Sequence, residues 1–147
     1  MSTAQGPIDR VYAIIERDGV SGLTEAELGL FTIYWFVAET NNGGVHQFLF
    51  NDSGEHAQAA LRYLEQIGTT RTASILRRAI ALFPGGTVPT DRKARRTLLN
   101  TMNDQGVSFN ALTRELYSCG EDVSAFHDAY ASAHPELFAR INGDAVS

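Results

Sequence analysis

The eighteen residues "ETNNGGVHQFLFNDSGEH" carry Glu39, His46, Asp52 and His56 around a Gly43-Gly44 pair. Carboxylates and imidazoles so close in sequence are the raw material of general acid-base chemistry. His46 lies seven residues after Glu39 and six before Asp52, and His56 follows Asp52 by four. A zinc centre needs three or four ligands, and two histidines four apart around a glutamate are absent. His127 and His134 are seven apart and could share a helix face, but Pro135 marks a boundary beside them. A surface or capping imidazole accounts for each of these histidines without any chemistry. No Gly-x-Ser-x-Gly elbow occurs, and Cys119 has no histidine near it in sequence. The glycine pair lacks the Gly-Lys-Ser/Thr ending of a phosphate loop and follows a helical pattern, not a strand. An enzyme is therefore not expected, nor is a metal or cofactor. That reading would change only if a pocket gathered Glu39, His46 and Asp52 with shifted pKa values.

The elements that position these residues read as helices. Pro7 suits a first helical position, and Ile8, Val11, Tyr12 and Ile15 recur on one helix face before Gly19 to Gly22 ends it. Thr24 and Glu27 have the three-residue spacing of a capping box, in which hydroxyl and carboxylate each satisfy a free backbone donor. The run "LGLFTIYWFV" from Leu28 to Val37 is apolar nearly all round, which predicts a helix through the middle of the core. Its caps and its length, Thr24 to about Thr40, outweigh its β-branched and aromatic content. Gly43 or Gly44 is expected to turn the chain at the end of this helix, where a Cβ would clash. One of Phe48 and Phe50 should cover the joint. Asn41, Asn42, Gln47 and Asn51 should satisfy backbone groups that would cost ~1 to 3 kcal/mol each if left unpaired. Asp52 with Glu55, or Ser53, is expected to cap the following helix.

Further faces at helical spacing follow. Ala57, Ala60, Leu61, Leu64 and Ile67 close at Gly68; Ala73, Leu76, Ala79, Ile80 and Phe83 close at Pro84-Gly85-Gly86. Pro89-Thr90 precedes the basic "DRKARRTLLNTM", then "SFNALTRELYSC", then "EDVSAFHDAYASAHPELFARI", expected to split at Pro135. No alternating run is bounded like a hairpin, and no repeat or low-complexity linker occurs. The fold class is all-α: a single compact domain over residues 1–147, with about seven to nine helices. A chain of this length buries roughly 70% of its unfolded surface, so a core forms without disulfides or metals.

A single cysteine fits a reducing compartment. The N-terminus lacks the basic flank and apolar run of a signal peptide, and no window reaches a membrane span, so a soluble cytoplasmic protein is expected. The net charge of -5 is unevenly spread: residues 1–61 carry -6, residues 62–96 carry +6 and residues 97–147 carry -5. Such asymmetry selects partners by sign.

Glu39, Asn42, Gly43, Gly44, Gln47, Phe48, Asn51 and Gly54 together resemble the signature of a small helical family, a domain of unknown function whose best-known representative is a DNA mimic. The resemblance extends through "AALRYLEQIG" and "ILRRAIALFPGG" to "DVSAFHDAYASAHPELF", and departs at Val45, where an aromatic is expected. It implies an all-α, non-catalytic domain acting on another protein, a DNA-binding one in the sharpest version, by presenting carboxylates in place of phosphates. That requires closely spaced negative charge. The acids available are Asp9, Glu16, Glu25 and Glu27 near the start, and Glu121, Asp122, Asp128 and Glu136 near the end. Arg62, Arg71, Arg77, Arg78, Arg92, Lys93, Arg95 and Arg96 would repel a basic partner unless they lie elsewhere. The signature itself reads as architecture, not as the working surface.

A rival reading takes the basic segment 62–96 as a nucleic-acid contact, with Arg92, Arg95 and Arg96 on neighbouring helix positions and Arg77-Arg78 extending the patch. The segment has no interleaved aromatics for stacking and no helix-turn-helix signature, so direct nucleic-acid binding is disfavoured. Arg92 to Arg96 could equally meet an acidic face of a second copy, which leaves a homodimer open.

Overall fold

The computed structural model describes residues 6–143. The signal-peptide reading and the outer limits of the 1–147 domain therefore fall partly outside the described residues. The described residues form eight α-helices and no strand: α1 (Pro7–Asp18), α2 (Glu25–Phe50), α3 (Ala57–Gln66), α4 (Thr70–Ala81), α5 (Arg92–Asp104), α6 (Asn110–Ser118), α7 (Val123–Ala133) and α8 (Ala139–Asn142). Short 3-10 turns link several of them, including Val20–Gly22, Asp52–His56 and Pro135–Leu137.

An apolar sequence on every side needs neighbours on every side. Accordingly α2 packs against α1, α3, α5, α6 and α7. Ile33, Phe36, Phe48 and Leu49 on α2 are buried, and the rings of Phe36 and Phe48 meet edge to face at 5.0 Å. Each such side chain contributes about 1.5 to 3 kcal/mol of apolar burial. The all-round expectation fails at one place, since Tyr34 on this helix is exposed. Ala57, Ala60 and Leu64 of α3 and Ala73, Leu76 and Ala79 of α4 are buried, as their spacing predicts. On α1 the interior residues are Val11 and Ile14, while Tyr12 lies partly outside.

The capping box forms: Glu27 N–H donates to Thr24 Oγ1 at 3.2 Å, and Thr24 N–H to Glu27 Oε1 at 2.9 Å. The predicted cap after the joint does not form. Asp52 instead pairs with Arg92, and Ser53 Oγ donates to the Phe48 carbonyl at 2.7 Å. His56 takes the cap position of α3 without a side-chain bond. The cap of α4 comes from far away: Glu121 accepts from the backbone N–H groups of Arg71 and Thr72 at 3.0 and 2.6 Å and from the Thr72 hydroxyl at 2.7 Å. That ties the entry to α7 onto the start of α4. Asp122 caps α7 itself through Ala125 N–H, and the chain breaks after Ala133 as Pro135 predicts.

Candidate interaction site

The signature residues build a joint. α2 is continuous except at Gly43 and Gly44, where the backbone leaves helical geometry and Gly44 adopts φ of 80°. An L side chain is strained there, and a Cβ would stand 2.8 Å from the Thr113 side chain of α6. Thr113 Oγ1 accepts from Val45 N–H at 3.0 Å, satisfying a donor that the kink releases. Across the kink, Gln47 Nε2 and Asn51 Nδ2 both donate to Glu39 Oε2, at 2.7 and 2.9 Å. One carboxylate oxygen thereby ties the helix before the break to the turn after it. Phe48 goes inside, whereas Phe50 covers the joint under the Arg96 guanidinium, 4.4 Å from its ring centroid. Val45, the departure from the family pattern, is fully buried. Asn42 is exposed.

Arg95 fastens this joint from α5, and its role was not legible in the sequence. Its side chain is fully buried. Nε donates to the Leu49 carbonyl at 2.6 Å, Nη2 to Asn51 at 2.9 Å, and Nη1 to Pro89 and Thr90 at 3.1 and 3.0 Å. Gly54 makes room for it, since a Cβ there would lie 2.1 Å from the Leu49 oxygen and 2.6 Å from Arg95 Nε. Burial pulls the guanidinium pKa down, opposed by the charges of Glu55, Asp52 and Asp91.

These contacts break up the basic patch that the sequence suggests. Arg95 is an interior tie, and Arg96 donates to the Phe50 carbonyl. Arg77 pairs with Glu65, Arg78 with Glu115 and Arg92 with Asp52. Arg71 donates to the Cys119 carbonyl. Helical spacing placed Arg92, Arg95 and Arg96 near one another but could not show that one of them points inward. The same facts remove Arg95 as a contact for a second copy.

The nominated acids divide. Glu27 is a correction: it is buried, held by Thr24 and by a two-point ion pair with Arg140 of α8. Burial pushes its carboxyl up, but the hydrogen bonds from Arg140 and Thr24 outweigh this and leave it below the usual carboxylate range. Glu121 is also held low by the amides it caps, against the opposing effect of burial. Asp9, Glu16, Glu25, Asp122, Asp128 and Glu136 remain exposed. Of these, Asp9 accepts from the Gly6 backbone N–H at 3.2 Å at the start of α1, and Glu136 meets His134 at 3.6 Å.

Two of the exposed acids share a groove with Glu121. Three adjoining hollows run between α2 and α7. The first has a volume of about 310 Å³ and takes in Thr40, Asn41, Glu121 and Asp122; the second, about 330 Å³, takes in Tyr34, Val37, His127 and Asp128. The third, about 360 Å³, continues from Leu30 and Asp128 to Pro7 and Asn142. Ser124 and Val37 join the first two, and Leu30, His127 and Asp128 join the last two. Among the described residues no lysine or arginine lines any of the three. Burial lowers the pKa of His127, against the opposing charge of Asp128. Asp9, Glu16, Glu25 and Glu136 do not line this groove.

The acid-base constellation is not assembled as its spacing suggests. Glu39, Asp52 and His56 line a separate cleft, while His46 is not among its lining residues and stacks on Phe50, ring centroids 5.5 Å apart. No group of three or more metal-ligating side chains occurs among the described residues. No helix among the described residues is long and apolar enough to cross a membrane.

A layered arrangement of helices around a kinked central one, with its signature spent on the kink, defines a helical domain marked by architecture. The model of the DMP19-like protein family matches residues 21–134, and the chain belongs to that family. The match spans α2 to α7 and so contains the joint and the first two hollows of the groove, but not the Pro7 to Asn142 end of the third. No curated protein and no solved structure matches the chain.

Proposed function

We propose that this domain is a non-catalytic cytoplasmic protein-interaction module that occupies the basic surface of a DNA-binding protein in place of DNA. The observation that carries the reading is the α2–α7 groove, where Asp122 and Asp128 stand exposed and no lysine or arginine lines the walls. Membership in the DMP19-like family supports it. A groove of one sign focuses its field outward and attracts the opposite sign. The cations that would oppose such a partner are largely engaged: Arg77, Arg78, Arg92 and Arg140 in ion pairs, Arg95 in the interior.

Apolar Leu30, Ile33 and Val37 floor the same groove, so a partner gains burial as well as charge. The test is competition on the immobilised protein. A DNA-binding protein retained at low salt should be released by duplex DNA and by added salt, and Asp122→Asn with Asp128→Asn should weaken retention. Asparagine keeps the cap of α7 while removing the charge. Retention indifferent to DNA, salt and both substitutions would remove the mimic reading. The rival nucleic-acid reading is tested by titrating duplex DNA against the protein at low salt, where no binding is expected.

A further inference from the structure

On the opposite side of α2 from the acidic groove, Phe31, Trp35 and Glu39 follow one another at four-residue intervals, which aligns them along one helix face. They line a cleft of about 520 Å³, within the usual size of small-ligand sites, and Tyr12, the Asp52–His56 turn and α5 complete its walls. The aromatic surface is fixed in place. Trp35 Nε1 donates to Tyr12 Oη at 2.5 Å, and Phe31 meets Tyr12 and His56 edge to face at 5.7 and 5.8 Å.

Charge in the cleft is unequal. Glu39, Asp52 and Glu55 face Arg92 and Arg96. Arg92 is matched to Asp52, and Arg96 is held by the Phe50 carbonyl and ring. Glu55 meets His56 at 3.9 Å and also faces the charge of the buried Arg95. Glu39 takes both of its amide donors on Oε2, so Oε1 has no protein donor among the described residues, and it is not sealed from solvent. The joint therefore holds a carboxylate rigidly with one oxygen open, beside aromatic rings that attract cations on their faces.

We propose that this cleft binds a guanidinium group, with Glu39 Oε1 accepting its N–H and the Phe31–Trp35 side providing the face on which the plane rests. A planar guanidinium satisfies both demands at once, whereas a compact ammonium presents no plane to stack. An anion would meet the open oxygen of the Glu39 carboxylate with its own charge. The cleft shares no lining residue with the α2–α7 groove, so the two assignments stand or fall separately.

Trp35 is the only tryptophan, which makes its indole N–H resonance a local reporter. Titrating the full chain with methylguanidinium should shift that resonance saturably, with a dissociation constant on the order of 1 mM. Methylurea, of the same shape without the charge, should leave it unmoved, and Glu39→Gln should weaken binding at least tenfold. A Gly-Arg-Gly peptide binding about tenfold tighter than methylguanidinium would identify the source as an arginine in a polypeptide; equal affinities would identify a free guanidinium compound. Because Glu39→Gln also touches the joint, the methylguanidinium and methylurea comparison on the unaltered protein decides the matter independently. Saturation by methylurea or by inorganic phosphate, or no saturable shift with methylguanidinium, would overturn the assignment.

Discussion

Arg95 shows how far a residue's role can depart from its class. In sequence it belongs to a cluster of cations, yet it is buried and spends its donors on four backbone carbonyls. Removing it leaves those four acceptors unpaired, and bonds to a charged donor are worth about 1.5 to 3 kcal/mol each, partly offset because the desolvation of a buried guanidinium is relieved; Arg95→Met is therefore expected to cost at least ~3 kcal/mol in a urea unfolding curve. Arg95→Lys should rescue little, because one ammonium cannot replace a planar fork reaching in two directions. Glu27 departs in the same way. Its folded pKa lies below its unfolded one, so its stabilisation is complete above about pH 4.3 and is lost as pH falls through the lower folded value. Arg140→Ala should flatten that acid limb. His127 adds a step at higher pH: its folded pKa is depressed by burial, so stability declines as pH falls below about 6.5, where the unfolded imidazole takes a proton and the folded one resists. His127 Nδ1 meets the Tyr63 hydroxyl, 2.8 Å away. Chemical denaturation between pH 7 and 5 should show this decline, and His127→Gln should reduce it. Only the capping half of Glu27's role was legible in sequence; the burial of Arg95, the Glu27–Arg140 pair and the Tyr63–His127 contact were not, because they join residues 44 to 113 positions apart.

At the scale of elements, sequence and structure agree where the cause is local. The Thr24–Glu27 capping box, the long apolar α2, the turn at Gly43-Gly44 and the break at Pro135 all arise from neighbours in the chain, and all are present. The joint could be read as a joint because glycines relieve a clash that any other residue would feel. Gly44→Ala should therefore destabilise by ~1 to 3 kcal/mol, through positive φ and the close approach of Thr113, with no change expected in helix content far from the kink. The cap on α4 could not be read, since Glu121 arrives from the turn before α7. The expected cap after the joint failed for a related reason: Asp52 and Ser53 had better partners in Arg92 and the Phe48 carbonyl. Glu121→Gln keeps one acceptor but loses the charge at the start of α4, so thermal unfolding should reveal a loss of about 1 kcal/mol.

Across the whole molecule, the three blocks of alternating charge in the sequence do not become three coloured faces. Ion pairing absorbs much of the basic block, and burial removes Arg95. The acidic block at the end divides between a structural cap, Glu121, and exposed groove residues, Asp122 and Asp128. The groove itself could not be found from spacing, because α2 and α7 lie far apart in sequence and only packing sets them side by side. The proposed interaction module that competes with DNA rests on family membership and on an acidic groove that no lysine or arginine of the described residues lines. The most direct measurement is the elution of a bound DNA-binding protein from the immobilised domain by duplex DNA across a salt series. The account predicts release by DNA, binding that weakens steeply with salt, and a shallower salt slope for the Asp122→Asn, Asp128→Asn double variant. Binding that duplex DNA fails to displace, with the same salt slope in the double variant, would contradict it.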